Sequence, residues 1–453
     1  MTAAADAAIN HALAIDAILS LAKAEYAHRN PRSRALFEVA QRSMPGGNTR
    51  TVLHYDPFPL YMESSQGARV RDVDEHEYLD ILGEYSAGLY GHCDPVVQAA
   101  VLEASAGGAS HGAPGGHEIC MAELLCARFP SIELVRFCNS GTEANLYALT
   151  LARIATGRTK LLCFFGAYHG GVFSFAGGGN PMNAPFEWLV CRYNDAEGAA
   201  ARIQSLGQEL AAVIVEPMMS NGGSIPASPE FLRVLRQQTA AVGALLIFDE
   251  VVTSRMGSGG MQKLHGVSPD LTTLGKYLGA GFSFGAFGGR SDVMELMNPG
   301  RSKALQHAGT FNNNVFSLKA GLAALREVFT PARADDFLTT GESLRARLNS
   351  IARSRGLSVQ FTGCGSVMSI HFSENEIKSP EDLQHEPKEL LALFQLDLMK
   401  RGLYIGRRGQ IILSLPMGLR DLDLIAGAIG AFLDERGVLI RRCMGEGPTN
   451  GIS

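Results

Sequence analysis

The chain is 453 residues long, with hydrophobic residues at 46%, charged residues at 19% and a formal net charge of −5. That balance excludes the basic surface expected of a nucleic-acid or anionic-membrane binder and directs attention to a small-molecule partner. The length allows two or three domains, and eight cysteines without a CxxC pair or zinc-ligand spacing lead us to expect reduced, mostly buried thiols in a cytoplasmic protein.

Residues 1–30 are Ala-rich and helical in period, but Asp6, His11, Asp16 and Lys23 interrupt the apolar run, so a signal peptide is not expected. No run of about 18 uncharged apolar residues suggests a membrane span. Within 41–80, "YMESSQGARVRDVDEHEYLD" reads as a small antiparallel hairpin. From Leu134 to Gly289 short apolar runs alternate with helical stretches, the pattern of βαβ units around a parallel sheet buried on both faces. The candidate strands are "LVRFC", "KLLCFF", "AAVIVEP", "ALLIFDE" and "DLTTLGK". Helices are predicted from Thr142 to Ala155, with Gly157 as a stop, and from Pro229 to Val242, ending at Gly243. Beyond Thr330 the pattern changes to a helix near Arg333–Arg353, a strand pair in "LSVQFTGCGSVMSIHF", another helix, "GQIILSLP" and a closing helix from Asp421 to Glu435; the last ten residues should be loose. The expected architecture is α/β: a large domain at 81–330 with a mostly parallel central sheet wrapped by helices, and a smaller α+β domain at 331–453 joined by the 1–80 segment.

Ligands of open α/β sheets bind beyond the carboxyl ends of the strands. Five candidate strands deliver polar groups there: Asn139, Ser140, Gly141 and Thr142; Tyr168 and His169; Glu216; Asp249 and Glu250; and Lys276. A Ser-Gly-Thr turn before a helix is what an ordinary N-cap looks like, and it also suits a phosphate. The Asp-Glu pair could form buried ion pairs or a second cap; Asp249 and Lys276 at one edge could instead serve a pyridinium ring and a Schiff base. Lys276 could be a plain surface lysine, yet Gly279, Gly281, Gly285, Gly288 and Gly289 follow it and would leave room for a flat ring. Desolvation in such a place would favour the neutral, nucleophilic amine. Neither GxxxxGK[ST] nor a helix-opening GxGxxG is present.

The motifs "NSGTEAN" (139–145), "YHGG" (168–171), "VEPM" (215–218), "IFDEVVTSR" (247–255), "TLGKYLGAG" (273–281), "FGAFGGR" (284–290) and "HAGTFNNN" (307–314) resemble those of class III pyridoxal-phosphate aminotransferases, in the family's order, over roughly 41–416. Within the class the chain is similar to the glutamate-1-semialdehyde aminomutase branch, and most to its β-phenylalanine aminotransferases. The resemblance implies a fold-type I enzyme with pyridoxal 5′-phosphate as cofactor. Lys276 would hold the cofactor covalently and shuttle the substrate proton, Asp249 would pair with the ring nitrogen, Ser140, Gly141 and Thr142 would cradle the phosphate, and Tyr168 would stack on the ring. Thr310 would complete the phosphate site of a second subunit, which implies a homodimer with shared sites. Arg50 and Arg408 would bind the carboxylates of a β-amino acid and of the 2-oxoacid acceptor, with Arg407 as the competing member of its pair. The expected reaction is ping-pong transfer of an amino group from a β-amino acid to 2-oxoglutarate or pyruvate; the alternatives are glutamate-1-semialdehyde aminomutase, which Asn221 would favour, or another ω-amino acid or amine transaminase. Phe282, Phe284 and Phe287 could line an aromatic pocket or fill core.

Overall fold

The computed structural model describes residues 2–445, with side chains from residue 15 onward; the expected loose tail lies outside the described residues from 446. A long helix, Thr2–Arg29, leads into a shorter one, Pro31–Ala40. The expected hairpin is present as three antiparallel strands, β1 (Met62–Gln66), β2 (Arg69–Asp72) and β3 (Glu77–Asp80). Alternation places Val70 and Asp72 of β2 inward and Arg69 and Arg71 outward, as a half-solvated antiparallel sheet requires.

The seven-stranded sheet is built from β4 (Leu134–Cys138), β5 (Lys160–Phe164), β6 (Glu187–Cys191), β7 (Leu210–Val215), β10 (Leu245–Asp249), β11 (Leu271–Gly275) and β12 (Gly285–Gly289); a small ribbon of β8 (Met218–Met219) and β9 (Ile225–Pro226) projects after β7. Its spatial order is β4-β12-β11-β10-β7-β5-β6. All five predicted strands are present, and β10 runs parallel to β7 and β11. Their continuous apolar runs follow from burial on both faces: every residue of β7 and β10 is buried. Burying a side chain such as Phe248 contributes about 1.5–3 kcal/mol.

Two strands of this sheet were not expected. One, β6, carries Glu187 and Trp188 and has only intermediate or exposed residues, so it lacks the apolar run of a central strand. The other, β12, is the stretch GAFGG, read above as an open loop, and it lies antiparallel between β4 and β11 with every residue buried. Gly285, Gly288 and Gly289 therefore serve close packing of backbones and leave no opening for a ring, whereas Gly281 lies outside the strand and borders open space. A Cβ on Gly285 would strike the Ser140 carbonyl, and one on Gly289 the Asp270 carbonyl.

The helix after β4 spans Gly141–Thr156 and ends on left-handed Gly157, and the predicted 229–242 helix is found as Pro229–Val242 with left-handed Gly243 as its cap. Farther on come the helix Pro331–Ser354, the antiparallel pair β13 (Val359–Cys364) and β14 (Val367–Phe372), the helix Lys388–Lys400, then β15 (Leu403–Tyr404) and β16 (Gln410–Ile412). The closing helix, Leu419–Cys443, is longer at both ends than its periodicity predicted. Strand β15 pairs parallel with β3, so the early hairpin and the C-terminal chain share one four-stranded sheet. Their common core takes in Leu79, Phe394 and Phe432 together with Tyr277 and Leu278, which directly follow Lys276. All eight cysteines are free thiols, and no helix among the described residues is long and apolar enough to cross a membrane.

Candidate active site

The carboxyl edge of the large sheet collects the expected groups. At the end of β4, Ser140 caps the following helix: its Oγ accepts from the Glu143 N–H at 3.1 Å. That contact leaves the Gly141 and Thr142 N–H groups at the positive helix end for an anion. Gly141 is required, because a Cβ there would lie 2.8 Å from the Val251 side chain. Thr142 Oγ1 accepts from the Gly171 N–H at 3.2 Å, tying the turn to the loop after β5.

Asp249 ends β10 and is 4% exposed. Its Oδ2 accepts from Asn145 Nδ2 at 2.8 Å and lies 2.8 Å from His169 Nδ1; its Oδ1 accepts from the Val251 N–H at 3.1 Å. Asn145 is itself oriented by the Thr273 hydroxyl, which donates to its Oδ1 at 2.6 Å. His169 is buried and its Nε2 has no hydrogen-bond partner. Glu216, beyond β7, accepts from the Tyr168 and Ser220 N–H groups, and burial, reinforced by the Asp249 charge, raises its carboxyl above the usual range. The two carboxylates after β10 separate in role. Glu250 turns away and accepts from Thr253 Oγ1, the Met261 and Gln262 N–H groups and Gln262 Nε2, so it holds the next helix while Asp249 faces the site.

Lys276 follows β11 in a left-handed conformation, φ 55°. Burial lowers its ammonium to about pKa 8, against the opposing pull of Asp249 and Glu216 and with the help of Arg255 and Arg50. Its Nζ donates to the Tyr85 carbonyl at 2.8 Å and to Ser86 Oγ at 3.0 Å. Nothing in the sequence drew attention to those acceptors. They belong to a turn in which Gly83, Glu84, Tyr85 and Ser86 all have positive φ (51°, 50°, 55° and 76°). Each non-glycine residue so placed costs about 1–2 kcal/mol, so surrounding contacts must hold the turn.

Both predicted arginines reach this turn. The Arg50 guanidinium lies 5.4 Å from the centre of the Tyr85 ring. Arg408 is exposed at the surface near enough to Tyr85 and Tyr168 to interact with them electrostatically; its positive charge is disfavoured by desolvation and by Arg407. Tyr168 is 42% exposed, placed by its N–H bond to Glu216. Thr310 is exposed in the connection before the helix Val315–Ala323 and touches none of these groups through a hydrogen bond; the same loop is fastened beside the phosphate turn by Asn139 Nδ2 donating to Asn312 Oδ1 at 3.0 Å. Asn221 is exposed in the β8–β9 turn. Of the three phenylalanines, Phe284 and Phe287 fill core, while Phe282 is 37% exposed and stacks on Phe316.

A helix end suited to an anion, a buried carboxylate with a fixed hydrogen-bonding frame and an amine of depressed pKa thus stand along one edge of the sheet, the donor set that pyridoxal phosphate needs. Fold and site define a fold-type I pyridoxal-phosphate enzyme. The chain belongs to the class III aminotransferases, whose family model, "Aminotransferase class-III", matches residues 52–429. It is 47% identical over 429 residues to the β-phenylalanine transaminase of Variovorax paradoxus, covering 95% of this chain and 99% of that one. A crystal structure of a β-phenylalanine aminotransferase from Variovorax paradoxus superposes with a TM-score of 0.93 over 94% of this chain and 99% of that one, at 47% identity. The glutamate-1-semialdehyde 2,1-aminomutase 2 of Brevibacillus brevis is 36% identical over 392 residues, 83% of this chain and 91% of its own.

Proposed function

We propose that this aminotransferase takes the amino group of a β-amino acid, β-phenylalanine first among candidates, and passes it to 2-oxoglutarate or pyruvate in a ping-pong cycle. The observation that supports this reading is the Arg50 guanidinium over the Tyr85 ring, on the turn that also receives Lys276 Nζ, with Arg408 acting electrostatically on the same tyrosine; two guanidinium forks could thus meet carboxylates beside one amine. Similarity to the Variovorax enzyme, greater than to the aminomutase, supports the donor class.

Pyridoxal phosphate, when bound, supplies an aldehyde for amine exchange and a ring that withdraws electrons from the substrate carbon. In this reading Ser140, Gly141 and Thr142 bind its phosphate, and Asp249 keeps the ring nitrogen protonated. Tyr168 covers a ring face. Lys276 carries the cofactor and moves the proton at the carbon that bears the amino group; a group with pKa about 8 can both give and take a proton near neutrality. Arg50 orients the donor carboxylate and Arg408 the acceptor's second carboxylate. Thr310, exposed and uncommitted to its own site, serves the phosphate of a second copy in a homodimer. The free thiols fit a cytoplasmic location. The division into a large domain at 81–330 and a small one formed by 1–80 and 331–453 is supported by the β3–β15 pairing.

The test is an absorbance titration of the purified protein with β-phenylalanine and no oxoacid. Bleaching of the bound-aldehyde band, reversed by 2-oxoglutarate, is expected. A spectrum indifferent to β-phenylalanine overturns the donor assignment, and turnover of glutamate 1-semialdehyde without any oxoacid would replace it with the aminomutase.

A further inference from the structure

Arg255 is the largest fully buried side chain among the described residues, 1% exposed, and no carboxylate pairs with it there. An unpaired buried guanidinium is unfavourable, enough that burial draws its pKa down to about 10. Its donors instead go to three separate segments: Nε to Ser366 Oγ at 3.0 Å, Nη1 to the Ser86 carbonyl at 3.1 Å and Nη2 to the Leu413 carbonyl at 2.6 Å. Only a planar fork can serve three acceptors in those directions; the single ammonium of a lysine cannot.

The Ser86 carbonyl closes the left-handed 83–86 turn, whose backbone shape is intrinsically unfavourable for three of its four residues. The same turn presents the two acceptors of Lys276 Nζ, and the Ser86 hydroxyl donates onward to the Tyr85 carbonyl at 2.5 Å. We propose that Arg255 is a positioning residue for Lys276: by fixing the Ser86 carbonyl it holds the 83–86 turn as a docking seat for the lysine amine whenever that amine is not bonded to the cofactor. This rests on the reading of Lys276 as the cofactor-bearing lysine. The seat matters because in a ping-pong cycle the amine is released in one half and must return to the same carbon in the other; an amine held at 2.8 and 3.0 Å from fixed acceptors does not wander. The charged groups that act on the amine are Asp249 and Glu216, which favour its positive form, and Arg255 and Arg50, which oppose it.

The experiment uses holoenzyme loaded with pyridoxamine phosphate, in which Lys276 is free, and follows the pH dependence of acetic anhydride labelling of the Lys276 peptide by mass spectrometry. Wild type should label with a midpoint near pH 8. Ser86→Ala removes an acceptor that favours the charged amine, and Arg255→Lys releases the turn that presents it; both should move the midpoint about one pH unit lower. A wild-type midpoint in Arg255→Lys overturns the proposal. Should that variant not fold, an unchanged midpoint in Ser86→Ala overturns it equally, since the seat would then have no hold on the amine. Protection of Lys276 in the pyridoxal-phosphate form, lost in the pyridoxamine form, checks the underlying assignment separately; equal labelling of both forms would remove Lys276 from the cofactor and leave Arg255 a structural clamp.

Discussion

His169 Nδ1 lies 2.8 Å from Asp249 Oδ2, with both side chains shut away from solvent and the far nitrogen of the imidazole bonded to nothing. The imidazole therefore sits directly behind the carboxylate proposed to pair with the cofactor ring nitrogen, and fixes its orientation. Removing the imidazole in His169→Ala should lower kcat by about tenfold or more while leaving phosphate-dependent cofactor binding largely intact. Steady-state kinetics beside a cofactor-binding titration would check this; parallel loss of both would point to a folding defect.

The Lys276 amine is expected to be charged below about pH 8 and neutral above it, because burial opposes its positive charge. Only the neutral form attacks an aldehyde. After the cofactor is stripped, the rate of covalent pyridoxal-phosphate recapture should rise through about pH 8 and level off above it, where an ordinary lysine would go on gaining towards its usual value of 10.5. Stopped-flow absorbance reads this directly. Lys276→Ala should bind the cofactor without the lysine-bound band and show no turnover.

In the proposed reading the two arginines serve different half-reactions. Arg50→Ala should raise the KM for the β-amino acid, and Arg408→Ala the KM for 2-oxoglutarate, each by roughly ten- to a hundredfold, the scale of losing charge-assisted hydrogen bonds to a carboxylate. Pyruvate lacks the second carboxylate and should be far less affected by Arg408→Ala. If Arg407→Ala produces that pattern instead, the two neighbours exchange roles.

Gly285→Ala should damage the fold before it damages the chemistry. The new methyl would strike the Ser140 carbonyl, forcing β12 away from β4 at a cost of about 1–3 kcal/mol. A lowered Tm together with weakened phosphate affinity is expected, and an unchanged melting curve would show that the strand yields freely.

Much of the site was legible because strand ends converge in an α/β sheet. Recognising "LVRFC", "ALLIFD" and "DLTTLG" as strands was enough to bring Ser140, Asp249 and Lys276 to one edge, although only the last two are buried throughout while β4 keeps Leu134 exposed. GAFGG hid its strand because glycine carries no β-propensity; what makes it a strand is the crowding of backbones on both sides, and that appears only after folding. The 83–86 turn was invisible for a related reason: Glu84, Tyr85 and Ser86 are not residues that favour positive φ, and contacts holding them come from far along the chain, Arg255 about 170 and Lys276 about 190 positions away. The separate duties of Asp249 and Glu250 could not be told from adjacency, because alternation along a strand sends neighbours to opposite sides without saying which side holds the ligand.

The antiparallel passage of β12 also sets an order of events during synthesis. The anion-binding turn at the end of β4 emerges early, but its neighbour in the sheet is a strand made about 150 residues later, after the lysine itself. Until residue 289 is available, β4 has no partner strand, and the turn that follows it is tied to the strand of the amine through the helix contact of Asn145 with Thr273. A truncated or stalled chain ending before that point would carry every residue of "NSGTEAN" and "TLGK" yet lack the strand that lies between them, so the sheet edge is complete only once β12 has been made.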